Sequence, residues 1–129
     1  MASRETITNY FIELQKNICA ALEKVDGKSV FAEDKWERKG GGGGISRVIQ
    51  DGNVIEKGGV NFSAVFGKVP PFLISELITP NPELFYATGV SIVIHPQSPM
   101  VPIIHMNVRY FEISENEFWA FVASSLRIS

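Results

Sequence analysis

One cysteine, Cys19, stands in the whole chain, so no intramolecular disulfide can form and the fold must rest on its core. The two histidines, His95 and His105, are too few to close a structural metal site without carboxylates or a second chain. No apolar run approaches the ~20 residues that cross a bilayer. No excess of positive charge exists either. The formal net charge of −2 offers no global field for nucleic acid or an anionic membrane. An acidic ligand must therefore be caught by a local group of Arg and Lys. The opening Met1-Ala2-Ser3-Arg4-Glu5 lacks the charged-then-apolar order of a secretory signal. Internal repeats and linker-bounded segments are also missing. These absences predict a soluble, cytoplasmic chain forming a single domain over residues 1–129.

What is present fits that class. An apolar share of 45% with 20% charged residues is that of a globular protein. Residues 5–25 carry Ile7, Phe11, Leu14, Ile18, Leu22 and Val25 at steps of three or four, which predicts an amphipathic helix. Ser3 or Thr6 is a candidate cap for its start, and Gly27 suits its end. Cys19 lies within this pattern and reads as a small packed hydrophobe. A charged stretch over 31–39 then runs into five glycines, 40–44, which read as a mobile loop or as backbone lying very close to something. Residues 45–50 and 53–56 flank Asp51-Gly52 and predict a hairpin. Gly58-Gly59 is read as a break, with 60–63 a further extended piece. Pro70-Pro71 opens a short predicted helix over 72–77, closed by Pro80 and Pro82.

Residues 89–95 and 101–112 predict two antiparallel strands around a turn at Pro96-Gln97-Ser98-Pro99. Side chains alternate faces along a strand. Ser91, Val93 and His95 share one face of the first strand. His105, Asn107 and Arg109 share one face of the second. A turn near Gln97-Ser98 pairs odd residues with odd ones, so Ser91 falls opposite His105 or Asn107. This face gathers both histidines, a hydroxyl, an amide and a guanidinium. A plain solvated face and a reactive site both fit that pattern, and a two-histidine metal site is a further reading. Arg109, Arg47 and Lys57 are the cations best placed for an acidic ligand. The glycine run lacks the surroundings of a phosphate loop, and the Asn61-Phe62-Ser63 sequon carries no meaning without a secretory signal.

Three blocks resemble a known family. They are Trp36-Glu37-Arg38-Lys39 with the glycines and Ser46-Arg47-Val48, then 56–63, then 87–91 through His95-Pro96 to 105–111. In order and spacing they are similar to oxygen-dependent coproporphyrinogen III oxidases over roughly residues 5–120. The resemblance implies an α+β fold, with an antiparallel sheet packed by helices, and a homodimer. It implies oxidative decarboxylation of coproporphyrinogen III to protoporphyrinogen IX with dioxygen, in haem biosynthesis, with no required cofactor. His105 resembles the proposed acid/base residue. Ser91, Asn107, Val108 and Arg109 resemble the substrate-binding positions. His95, and with it His105, matches a position sometimes assigned to a divalent metal.

Chemistry agrees with those implied roles. Arg109 suits a tetracarboxylate substrate, imidazole exchanges protons near neutral pH, and Gly58-Gly59 would let backbone approach a flat macrocycle. Residues 122–129 depart from the family, whose members run to roughly twice this length, so the resemblance implies only the N-terminal half of such an enzyme, as after truncation or a frameshift. A non-catalytic remnant that binds tetrapyrrole or self-associates is the alternative expectation.

Overall fold

The computed structural model describes residues 4–68, 84–114 and 117–127. One helix, α1 (Arg4–Asp26), is followed by six strands: β1 (Ala32–Glu37), β2 (Gly42–Gln50), β3 (Ile55–Lys68), β4 (Leu84–Pro96), β5 (Ile103–Ser114) and β6 (Glu117–Arg127). Each strand pairs antiparallel with its chain neighbours, so the sheet order is β1-β2-β3-β4-β5-β6. The expected α+β class is thus a six-stranded meander with α1 against β3 and β4. The short helix expected over 72–77 and its flanking prolines lie outside the described residues.

Phe11, Gln15, Cys19 and Asp26 are the buried residues of α1. Steps of four, four and seven keep them in one straight row at 3.6 residues per turn. Val25, five whole turns from Ile7, keeps the angle of the apolar stripe but at the last turn is 66% exposed, against the expectation that it is packed there. Thr6 lies inside the helix and is no cap, while Ser3 is outside the described residues. Gly27 ends the helix as expected, in a left-handed conformation with φ 74°.

Two polar residues join the helix to the sheet. The Gln15 amide donates from Nε2 to the carbonyls of Ile45 (2.7 Å) and Val60 (2.9 Å). The Asp26 carboxylate accepts from the backbone N–H of Lys28 and Ser29. Across the chain it also accepts from Asn53, Val54 and Ile55. It therefore binds the helix end to the β2–β3 turn, where Asp51 has φ 58°. Those N–H donors hold the carboxyl well below the usual carboxylate range, Ser29 most of all and then Ile55.

The charged 31–39 stretch holds an edge strand, β1, with every residue exposed. The glycine run is not a mobile loop. Residues 42–44 are strand β2, paired to β3 from Gly42↔Val65 onward. The second expected branch, close backbone approach, holds. A Cβ on Gly44 would stand 2.4 Å from Cζ2 of Trp36 and 2.3 Å from the Phe62 carbonyl. Gly58-Gly59 likewise does not break the chain: both lie inside β3. Gly58 is core, because a Cβ there would meet Ile94 at 2.9 Å.

The core fills the helix-covered face with Phe11, Cys19, Ile49, Ile55, Val60, Phe62, Val90, Ile92 and Ile94. The other face of the sheet is the one that carries polar side chains.

Candidate functional site

Strand register sorts the polar face into rows. One row runs Trp36↔Gly44↔Ser63↔Gly89↔Arg109. The next runs Asp34↔Ser46↔Asn61↔Ser91↔Asn107, polar at all five positions. A third runs Val48↔Gly59↔Val93↔His105. His95 lies one row beyond, opposite Lys57. Successive rows are two residues apart, or about 7 Å along a strand.

The pairing numbers of β4 and β5 settle the alternatives left open by the turn: Ser91 faces Asn107, and His105 faces Val93. His105 and Asn107 are adjacent on one strand face, with Asn107 Nδ2 3.4 Å from His105 Nε2. Asn107 Oδ1 is buried with no partner among the described residues. The two ends of an amide have the same shape. As placed, Nδ2–H donates to Nε2; reversed, Oδ1 would accept from an Nε2–H and the buried amide NH2 would be the group without a partner.

A depression of about 530 Å³ opens on this face. Ser91 and Arg109 line it together with Asn61, Ser63, Trp36 and Arg38. Its volume is that of a small-molecule site, and its polar groups converge from four strands. Phe85 adds an aromatic wall, stacked on Phe111 with centroids 5.6 Å apart. His105, Asn107 and His95 share the face without lining the depression. Val108 is turned the other way, half-buried against the helix-side core, so its side chain is not on the polar face.

The expected cations divide. Arg109 lines the depression. Lys57 shares the face but sits in the His95 row. Arg47 is on the helix-covered face, in register with Val60, with its guanidinium 3.5 Å from Glu33. It is not available to a ligand on the polar face, because β2 turns it toward the core. Gly58 also faces the core, so of the glycine pair only Gly59 is open on the polar side. Trp36 and Arg38 were visible in the sequence as members of a charged stretch and of the first family-like block, with no role attached to either. Recognising β1 as a strand through its pairing with the glycines is what places them here.

Among the described residues no group of three or more His, Cys, Asp or Glu is arranged to hold a metal ion. His95 and His105 stand on neighbouring rows without a third ligand. No described helix is long and apolar enough to cross a membrane.

Comparison with known proteins places residues 6–124 on the family model described as coproporphyrinogen III oxidase. An oxygen-dependent coproporphyrinogen-III oxidase of Prochlorococcus marinus strain NATL2A is 50% identical over 111 residues, 85% of this chain and 32% of the relative. The corresponding proteins of strains NATL1A and MIT 9515 are 49% and 48% identical over the same span. The chain thus spans about a third of the length of the curated relatives it matches, less than the half implied by the sequence resemblance.

Proposed function

The chain belongs to the coproporphyrinogen III oxidase family, and from that premise we propose that its polar sheet face forms part of a site for oxidative decarboxylation of coproporphyrinogen III to protoporphyrinogen IX. The observation that carries this reading is the depression lined jointly by Ser91 and Arg109, with the His105–Asn107 pair beside it on β5.

Each step asks for a group this face has. Turning a propionate into a vinyl group releases carbon dioxide, one proton and two electrons. Dioxygen takes the electrons, so the protein's task is to position the substrate and handle the proton. Arg109 holds a propionate carboxylate through its planar fork. Ser91 and Asn107 face each other across β4 and β5 and supply a hydroxyl and an amide for the macrocycle's polar edge. His105, oriented by Asn107, takes up the proton. No organic cofactor and no metal enter this reading. We assign the family's homodimeric state and a cytoplasmic location on the same resemblance.

The test is an aerobic assay of the purified chain with coproporphyrinogen III, reading protoporphyrin after oxidation, with His105→Ala as control. Product that falls by about a hundredfold or more in the variant supports the reading, since positioned acid/base groups contribute 10²–10⁴-fold. Absence of product from a folded chain overturns it for this chain, leaving the alternative of a non-catalytic relative.

A further inference from the structure

We propose that Arg38 is a second carboxylate-binding residue of this site, holding one propionate of the tetrapyrrole while Arg109 holds another. The inference rests on the substrate reading above and adds a residue that the sequence blocks leave without a role.

Arg38 follows β1 in the turn toward the glycines. Its backbone N–H donates to the Gly42 carbonyl, and the Gly41 N–H donates back to the Arg38 carbonyl. Gly41 and Gly42 take positive φ values of 126° and 86°. That conformation lays the turn directly on β3: a Cβ on Gly42 would stand 2.2 Å from the Ala64 carbonyl. The Arg38 side chain is thereby delivered across the sheet. Its Nη1 donates to the Phe66 carbonyl at 2.8 Å and, more weakly, to that of Gly41 at 3.5 Å. Its guanidinium carbon stands 5.8 Å from the centroid of Phe85.

Two consequences follow. Both of those hydrogen bonds use Nη1, so the edge formed by Nε and Nη2 makes none with the described residues. No ion pair engages it there either. A guanidinium anchored on one side and open on the other is prepared for a carboxylate, because the ordering of a long side chain has already been met. The second consequence concerns span. Arg38 contacts β4 at Phe85, while Arg109 pairs with Gly89. Four residues separate Phe85 from Gly89, about 13 Å along the strand. That is the spacing of the two anchor points on the strand, and carboxylates on different edges of a macrocycle can reach cations that rise from separate rows. Both arginines line the same depression, with Ser63 in the Arg109 row and Asn61 one row beyond it.

The experiment titrates the purified chain with coproporphyrin III, the stable fluorescent tetra-acid, and with its tetramethyl ester in the same detergent. Arg38→Met is expected to weaken binding of the acid by about tenfold and leave the ester unchanged. Arg109→Met should do the same, and the double variant should bind more weakly than either. Thermal melts accompany each variant. If Arg38→Met melts early, Arg38→Lys carries the test, with an intermediate loss expected because ammonium keeps the charge but not the fork. Acid binding unchanged in Arg38→Met but weakened in Arg109→Met overturns the role of Arg38 and leaves the substrate reading standing. Equal weakening for acid and ester means a structural role and also overturns it. A wild-type chain with no preference for the acid over the ester removes the substrate reading, and this inference falls with it.

Discussion

The indole of Trp36 occupies the space above Gly44 that any side chain there would need, and the two are register partners on β1 and β2. This contact ties the glycine run to the candidate site, because Trp36 lines the depression that contains Arg109. Gly44→Ala therefore displaces Trp36 or opens the β2–β3 ladder at the Phe62 carbonyl. The expected cost is about 1–3 kcal/mol of stability, the range for overfilled positions. Urea midpoints measure the loss, and the near-ultraviolet circular dichroism of the indole should change with it. An alanine variant as stable as wild type, with an unaltered aromatic signal, would contradict the packing described here.

Asp26 predicts a pH dependence. Its five backbone donors lower the folded carboxyl pKa below the unfolded value of about 3.9. The folded state then binds fewer protons than the unfolded state as pH falls past that value. Its contribution is fully present above about pH 4 and is lost on further acidification. Asp26→Asn should lower the melting temperature at pH 7 and flatten the stability profile between pH 4 and 2. The difference between the two profiles isolates this group from the other carboxylates. Parallel profiles would refute the assignment.

Cys19 predicts a slow thiol. Burial pushes its pKa up to about 11, with nearby Arg47 only partly opposing the shift. The thiolate is the reactive form. At pH 8 a disulfide reagent should label the native chain on the order of a hundredfold more slowly than the unfolded chain, from thiolate fraction alone. Rapid native labelling would mean that α1 opens readily from the sheet.

Much of this was legible in the residues. The spacing of Ile7, Phe11, Leu14, Ile18 and Leu22 defines α1, and Asp51-Gly52 defines a hairpin. The alternation of 89–95 against 101–112 defines a second hairpin with Ser91, His105, Asn107 and Arg109 on one face. These are local signals, set by helix and strand periodicity and by turn chemistry. The match to the family over residues 6–124 agrees with the resemblance read from three short blocks.

What only the tertiary structure decided is non-local. Periodicity cannot show that three glycines form a strand, because glycine has no side chain to alternate and is held there by Trp36 and Phe62 from neighbouring strands. Nor can it show that Asp26, not Val25, completes the buried row of the helix, since the compensating N–H groups come from residues 53–55. The sorting of the arginines is the clearest case. Arg38, Arg47 and Arg109 look alike along the chain. Strand register sends Arg47 to the core side and Arg109 to the open face, and the glycine turn carries Arg38 over the sheet to join it. Composition and spacing determined which chemistry the chain carries. The pairing of distant strands, which fixes every side chain's face at once, decided which residues meet.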